Sequence, residues 1–429
     1  MLRFITKSKF KKDLAFSYIV QIFTALLGLL QVFLINKYFG IVTYGQLAII
    51  MSTAGIFSSL LTARSAEAVT RFFKIEIANN RIENAKFVLY IGFFIDLITA
   101  FTLLLLVYFL SDVIAKIFLK NSDLSVEIFL YSFIIFFIFM RDTLTGYLQA
   151  NEMFNHINSI RLIESFLKNA FLLIPIYASV CTLRFLIFSF FAASFLSFVF
   201  ALYVYLNKYL KELSNIPLVI NKVLFKEYWN YNVKTFLSSS LKAGNENIDN
   251  LVIAYYLDAK TVGIYQVLKK ILSPIFMFSS PFSMLIYPKL ISFYDAGQRD
   301  RFKNIILKTS SYLALLTVVY GLITYISLPG ILSILGTNYT SMYSNYYIAL
   351  IFLTFIVIMM WWVRIFSNTV DPSYSLYMNI FATIFQLTVT ILMAKSFGIF
   401  GLIISMLVMN VIIFSYWLRK AYCYVNNHI

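Results

Sequence analysis

Long apolar segments recur along the whole chain, and they restrict its fold more than any other feature. A helix that crosses a bilayer needs about 20 mostly apolar residues, and the sequence contains twelve such segments. They lie at 14–37, 42–63, 87–110, 126–148, 159–180, 185–206, 235–257, 261–287, 309–327, 343–363, 373–394 and 398–418. Because backbone polar groups in lipid must be satisfied internally, segments of this length predict helices. We therefore expect an all-α integral membrane protein with twelve transmembrane helices.

Composition excludes an ordinary soluble enzyme. The chain is 61% apolar and 13% charged, whereas soluble domains average about 45–50% and about 25%. Its formal net charge of +16 would suggest a nucleic-acid partner in a soluble protein. In a membrane protein basic residues must first be sorted by side, and we expect no nucleic acid to bind. The two cysteines are too few for a disulfide framework or a metal site.

The distribution of basic residues predicts the orientation. With the N-terminus in the cytoplasm, 24 of the 35 Lys and Arg residues fall on the cytoplasmic side and 6 on the other. Such an excess is typical of cytoplasmic loops. The asymmetry holds in both halves only if the polar seventh segment, 235–257, spans the membrane. We therefore expect a multi-pass membrane protein with both termini in the cytoplasm.

The two halves of the chain resemble each other. The predicted loops after spans 2 and 8 each carry five basic residues, and those after spans 4 and 10 each carry one. Equivalent spans are six apart, so both halves have the same orientation, as in transporters with parallel repeats. We predict two six-helix bundles, an N-terminal lobe at 1–206 and a C-terminal lobe at 235–429. The segment between them, 207–234, has apolar residues at helical spacing and predicts a cytoplasmic amphipathic linker; a solvated linker is the alternative.

The seventh predicted span carries ionisable residues on one face. Lys242, Glu246 and Asp249 follow helical spacing. An ionisable side chain at mid-membrane costs at least about 2.5–3.5 kcal/mol on insertion scales, and it usually faces a partner or a water-filled cavity. Lys242 and Glu246 are four residues apart and form a possible ion pair. That structural interpretation leaves Asp249 unexplained.

Other predicted spans add cations. The eighth carries Lys269 and Lys270, and the fifth carries Lys168 four residues after Glu164. In the fourth, Arg141 stands beside Asp142, and because the two point in different directions each needs its own partner. Arg64 and Arg364 lie at inner span ends, where snorkelling to the interface is the commoner explanation. Asp96 in span 3 is either a hydrogen-bond acceptor or a proton site.

A polar stripe on the first span suggests a lumen. Gln21, Thr24, Gly28 and Gln31 share one helical face. Hydrogen-bonded helix packing is the alternative explanation for such a stripe. Spans 1, 7 and 8 together would surround a polar cavity with a net positive charge. A cationic cavity favours an anionic substrate such as a pyrophosphate head group.

These features together resemble a known family. The six-plus-six arrangement, the charged seventh span, the basic loops and the turn sequences Gly40…Tyr44-Gly45 and Gly263-Ile-Tyr265 are similar to Wzx-type O-antigen and polysaccharide flippases. That family belongs to the multidrug/oligosaccharidyl-lipid/polysaccharide exporter superfamily. The resemblance covers essentially the whole chain and rests on pattern and short motifs.

The resemblance implies a function and candidate residues. It implies that an undecaprenyl-pyrophosphate-linked oligosaccharide moves from the cytoplasmic to the periplasmic leaflet by alternating access, with no bound cofactor and coupled to an ion gradient, as in proton antiport. Membrane lipids, an O-antigen polymerase and a chain-length regulator are the other partners expected. The positions that fit the family's cationic lumen are Lys168, Lys242, Lys269, Lys270, Arg64 and Arg141. Glu246 or Asp249 would respond to the coupling ion.

Three alternative functions remain open from the sequence. An O-antigen polymerase, a membrane glycosyltransferase, typically has a large basic outer loop, whereas Leu328–Met342 contains no Lys or Arg. The only histidines, His156 and His428, lie near or beyond cytoplasmic span ends, where they cannot perform acid–base chemistry on the outer side. A multidrug exporter would suit an acidic lumen better, and a lipid II flippase commonly has additional spans. We expect a transporter without catalytic residues.

Overall fold

Helices make up every regular element that the computed structural model describes. The structure describes residues 7–277, 296–335, 341–363 and 372–426, with Ile286, Leu290, Phe293, Tyr294 and Phe366. Within these ranges, the side chains of residues 7–14, 211, 234–246, 341 and 372–383 are outside the description. The chain divides into two compact units, Met1–Leu251 (unit 1) and Val252–Ile429 (unit 2).

Unit 1 is a bundle of helices, and polar residues lie close to three of the breaks between them. α1 and α4 each continue into a short π-helical turn, Ile35–Phe39 and Ala115–Leu119 respectively. The helices are α1 Lys7–Leu34, α2 Ile41–Leu61, α3 Ser65–Ala78, α4 Ile82–Ile114, α5 Ser125–Met140, α6 Asp142–Ala150, α7 Phe154–Tyr177, α8 Leu183–Glu212 and α9 Lys222–Tyr256, whose last residues belong to unit 2.

Unit 2 contains fewer but longer helices in its described part. They are α10 Ala259–Leu272, α11 Arg299–Ile334, α12 Ser341–Met359 and α13 Pro372–Val425. α13 bends at Gly398, whose φ of 58° is in the left-handed region that glycine tolerates. The kink falls where the sequence predicts the end of span 11 and the start of span 12. Aromatic residues form the core of this unit, among them Phe302, Trp361, Trp362, Phe366 and Trp417.

Eight helical stretches of the described residues are long and apolar enough to cross a membrane. The fifth and seventh predicted spans fall on α7 and α9, whose charged residues lower their mean hydropathy. The eighth begins on α10, which has 14 residues, and α13 contains the last two predicted spans. The chain is thus a multi-pass membrane protein. The eight stretches are Ala15–Phe39, Ile41–Ala78, Ile82–Leu119, Ser122–Ala150, Leu183–Leu210, Arg299–Ile334, Met342–Trp362 and Ile384–Val425.

The segment between the predicted lobes differs from the expected amphipathic linker. Residues up to Glu212 complete α8, residues 213–221 are irregular, and α9 begins at Lys222 and continues without interruption into the seventh predicted span. Leu224 and Tyr228 are buried in the core of unit 1, where Tyr228 packs against Phe72 with ring centroids 5.5 Å apart. Part of this segment thus packs into unit 1, while Ile220 and Val223 are exposed at 73% and 68%. The lobe boundaries at 206 and 235 stay predictions.

Two arginines lie at breaks between consecutive helices. Between α5 and α6, the backbone N–H of Arg141 is shared between the carbonyls of Phe137 and Ile138, at 3.1 and 3.2 Å. Between α2 and α3, Arg64 adopts a left-handed conformation with φ 48°, which is uncommon for a residue with a Cβ. The fourth predicted span, 126–148, is thus interrupted at a charged residue.

Candidate functional site

One face of α7 carries charged and amide side chains and packs against α1. Asn158 Nδ2 donates to Ser17 Oγ at 2.7 Å, and Asn169 Nδ2 donates to the carbonyl of Leu27 at 3.1 Å. Both contacts join α7 to the first predicted span. Hydrogen bonds of this kind hold neighbouring helices together where water is scarce. They fix α7 along its length and so position the charged residues between them.

Three charged side chains meet on the side of α7 that faces the α5–α6 break and α8. Arg141 Nη1 lies 2.5 Å from Glu164 Oε2, and Lys168 Nζ lies 2.8 Å from Glu164 Oε1. Arg141 also donates to Ser197 Oγ on α8 at 2.9 Å, and the Lys168 ammonium lies 5.9 Å from the centroid of the Phe190 ring. We call Arg141, Glu164 and Lys168 the charge cluster.

The charge cluster has one more positive than negative charge. Its side chains are largely buried, with exposed fractions of 18%, 11% and 26% for Arg141, Glu164 and Lys168. Each oxygen of the Glu164 carboxylate faces a different cation, which offsets the cost of burying all three groups. Asp142, next to Arg141, is a further carboxyl close to the cluster. Arg141 and Lys168 still carry guanidinium and ammonium donors of the kind that bind phosphate oxygens.

Asp96 of α4 helps to hold the helix break that presents Arg141. Its Oδ2 accepts the backbone N–H of Thr143 at 2.9 Å, and Asp96 is 2% exposed. A carboxylate at a helix N-terminus satisfies an unpaired backbone donor and interacts favourably with the helix dipole. The sequence left two roles open for Asp96, and this contact identifies it as a hydrogen-bond acceptor for the start of α6.

Arg64 has an ion-pair partner of its own on α3. Its Nη1 lies 2.7 Å from Glu67 Oε1 one turn along α3, and both side chains are exposed. Such exposed pairs contribute little to stability. The structure therefore assigns Arg64 a local partner, and its predicted role in substrate binding stays a prediction.

Two candidate cations lie in unit 2, on α10. The Lys269 ammonium is 5.1 Å from the centroid of the Tyr265 ring. Lys270 is partly buried and forms no ion pair with any residue that the structure describes. Neighbouring residues on a helix point in directions about 100° apart, so the two ammonium groups diverge. An aromatic ring stabilises the first of them through a cation–π contact.

The polar face of α9 is described from Asn247 onward. The side chains of Lys242 and Glu246 lie outside the described residues, so their predicted pairing stays a prediction. Asp249 is 1% exposed and its Oδ1 accepts the backbone N–H of Asn250 at 2.8 Å, while Asn250 Nδ2 donates to Ser52 Oγ of α2 at 2.6 Å. These contacts within unit 1 show that part of the polar face packs against α2.

The structure thus brings together two of the six predicted cations. Lys168 pairs with Glu164, as their spacing of four residues suggested, and Arg141 finds its separate partner in the same carboxylate. Sequence reasoning missed Ser197 because its contact joins helices 56 residues apart. The cavity predicted between spans 1, 7 and 8 stays a prediction.

Comparison with known proteins identifies the family and the fold. A family model described as "Polysaccharide biosynthesis protein" matches residues 10–293, which is more than half of the chain. This match confirms at family level the resemblance to polysaccharide flippases. A search of curated protein sequences finds no match.

Solved structures of the MOP superfamily share the fold. The chain is similar to the lipid II flippase MurJ in an inward closed conformation, with a TM-score of 0.73, 18% identity and coverage of 95% of this chain and 87% of MurJ. It is also similar to an inward-facing multidrug resistance MATE family transporter, with a TM-score of 0.72, 15% identity and coverage of 94% and 95%. This likeness confirms the predicted fold class, an all-α membrane protein of twelve helices. With the family match, it follows that the chain belongs to the polysaccharide biosynthesis protein family.

Proposed function

We propose that the protein is a flippase for a lipid-linked, pyrophosphate-bearing oligosaccharide. It moves the repeat unit of an O-antigen or capsule, carried on undecaprenyl pyrophosphate, from the cytoplasmic to the periplasmic leaflet of the bacterial inner membrane. It works by alternating access as a transporter and makes or breaks no covalent bond in the substrate. The protein's family supports the polysaccharide, and the likeness to a lipid II flippase supports the lipid carrier.

The charge cluster is the observation that carries this proposal. It places two cations and the carboxylate between them among largely buried groups of the predicted spans. Ionisable residues in such places usually serve a substrate or an ion. Arg141 and Lys168 can both donate charge-assisted hydrogen bonds, which are strong with phosphate oxygens. An anionic head group is therefore the substrate part that suits the cluster best.

The chemistry of the substrate explains why a protein is needed. Moving sugar hydroxyls through hydrocarbon leaves them without hydrogen-bond partners, at a cost of about 4–8 kcal/mol for each unpaired group in a solvent such as cyclohexane. A polar path removes most of this cost, while the prenyl chain stays in lipid. We assign the pyrophosphate to Arg141 and Lys168 in unit 1. Lys242, Lys269 and Lys270 are further candidate contacts, and Arg64 is the least supported.

A cell experiment distinguishes this function from a polymerase. Deletion of the gene is expected to leave single lipid-linked repeats facing the cytoplasm, because the flipping step is missing. Plasmid-borne protein should restore the surface polysaccharide, whereas a stably expressed Lys168→Met variant, which lacks one of the two cations assigned to the pyrophosphate, should restore less of it. Single repeats that accumulate already attached to the core lipid would instead indicate a missing polymerase and would contradict the proposal.

Coupling to protons is assigned to Asp249 or Glu246. Asp249→Asn keeps an oxygen that can accept the Asn250 N–H, but the amide cannot take up a proton. If Asp249 is the coupling group, we expect flipping by this variant in proteoliposomes to continue at a rate that no longer responds to an imposed proton gradient. Asp258→Asn is the matched control, because Asp258 is exposed and caps α10 through the backbone N–H of Thr261, which asparagine also does well. A full response in Asp249→Asn would assign coupling elsewhere, with Glu246 as the next candidate.

A further inference from the structure

A polar cavity of about 330 Å³ lies in unit 1, and its lining reaches Arg161, one helical turn before Glu164 of the charge cluster. It is formed by α1, the end of α6 and the start of α7. Cavities that bind small ligands enclose about 300–1,000 Å³, so this one has room for a mono- or disaccharide. The residues that matter for its chemistry are Gln21, Thr24, Gln149, Phe154, Asn158 and Arg161.

Hydrogen-bond donors dominate the lining of this cavity. Thr70 Oγ1 lies 3.2 Å from Gln149 Oε1, but its single hydrogen has a nearer acceptor in the carbonyl of Ala66 at 2.7 Å, so the Gln149 amide keeps hydrogen-bonding capacity for a ligand. Arg161 and Gln21 are exposed, and neither side chain forms a hydrogen bond or ion pair with the residues described. The lining contains no carboxylate. The cavity therefore offers amide and guanidinium donors to a ligand rich in oxygen.

A sugar matches this lining better than the other parts of the proposed substrate. Amide side chains both donate and accept, as sugar hydroxyls do. The half-exposed ring of Phe154 presents an apolar surface to the flat face of a pyranose. A prenyl chain would leave the polar lining unsatisfied, which costs free energy. A bare pyrophosphate would find its charge partner in Arg161 alone and would make no use of Phe154.

The position of the cavity relative to the charge cluster fits a molecule that carries both a sugar and an anion. Arg161 precedes Glu164 by three residues on α7, about 4.5 Å along the helix axis. Arg141 stands at the start of α6 and Gln149 near its end, about 12 Å apart. A pyrophosphate with its first sugars spans this distance. We propose that the cavity binds the sugars next to the pyrophosphate, an inference that rests on the proposed function and names its sugar subsite.

Two lipids that differ only in the saccharide test this inference. The probes are the lipid-linked saccharide extracted from the native host and pure undecaprenyl pyrophosphate, each titrated against full-length protein in nanodiscs. Gln21→Leu/Gln149→Leu is expected to weaken binding of the saccharide-bearing lipid about tenfold, since each neutral hydrogen bond contributes about 0.5–1.5 kcal/mol. Binding of undecaprenyl pyrophosphate should change less than about twofold, within the scatter of surface substitutions. The single variants apply the same test if the double variant does not fold.

Gln46→Leu is the matched control, because Gln46 of α2 does not line the cavity; it should leave both affinities unchanged. Equal weakening of both lipids by the cavity variants would assign the cavity to the pyrophosphate and overturn the sugar subsite. Unchanged binding of both lipids would overturn it as well, with the proposed function intact. Wild-type protein that binds neither lipid would refute the proposed function itself, and the subsite with it.

Discussion

Replacing Glu164 with glutamine is expected to lower the free energy of unfolding of unit 1 by about 3–5 kcal/mol. The carboxylate of Glu164 lies between Arg141 and Lys168. One of its oxygens is 2.5 Å from Arg141 Nη1, and the other is 2.8 Å from Lys168 Nζ. The amide leaves two largely buried cations without an anion. The midpoint of thermal unfolding of the purified protein in detergent measures this loss against the wild type.

Two variants show whether the loss comes from buried charge. Glu67→Gln removes the carboxylate of an exposed pair with Arg64 and should cost no more than about 1 kcal/mol. Adding Lys168→Met to Glu164→Gln leaves one unpaired cation where there were two, so part of the stability should return. If Glu164→Gln unfolds at the wild-type midpoint, the charge cluster does not hold the helices together as described.

Replacing Lys168 with methionine is expected to slow flipping about 10- to 100-fold with little loss of folded protein. The Arg141–Glu164 pair survives, so no buried charge is left alone, but the cluster changes from a net positive charge to zero. A hydrogen bond to a charged group contributes about 1.5–3 kcal/mol, which sets the size of the expected effect. Flipping is measured in proteoliposomes with equal amounts of folded protein.

The same substitution on the surface is the control. Lys74 pairs with Glu152, and both side chains are exposed, so Lys74→Met should flip at the wild-type rate. Lys168→Met/Glu164→Gln restores one net positive charge through Arg141 and should recover part of the flipping rate. Wild-type flipping by Lys168→Met would remove the charge cluster from substrate binding.

Apolar length and charge distribution were sufficient to predict the fold class. In lipid, each span must satisfy its backbone polar groups by hydrogen bonds within a helix. The orientation of the spans must also keep the basic loops in the cytoplasm. The polar seventh span, which hydropathy alone would reject, lies in the continuous helix α9. α13 kinks at Gly398, between the last two predicted spans. Glycine allows this kink because it adopts a left-handed conformation that few other residues adopt.

The sequence pattern did not predict contacts between segments that are distant along the chain. The pairing of Glu164 with Lys168 follows from helical spacing, whereas the contact of Glu164 with Arg141 depends on how α7 packs beside the α5–α6 break. Similarly, helical spacing in 207–234 indicated an apolar face but not what covers it. Leu224 and Tyr228 pack into the core of unit 1, whereas Ile220 and Val223 are exposed. A periodic pattern thus gives the face of a helix, and only the packing gives its partner.

Flipping of the lipid-linked saccharide by the purified protein tests the central claim most directly. Proteoliposomes are loaded symmetrically with the saccharide-bearing lipid, the copies in the outer leaflet are removed with a membrane-impermeant glycosidase, and the reappearance of substrate in that leaflet is followed with time. The account predicts that substrate reappears much faster with the wild-type protein than in protein-free liposomes. For Lys168→Met it predicts a rate about 10- to 100-fold slower than the wild type, because the lost hydrogen bond to a charged group is worth about 1.5–3 kcal/mol. Equal rates with and without the wild-type protein would contradict it.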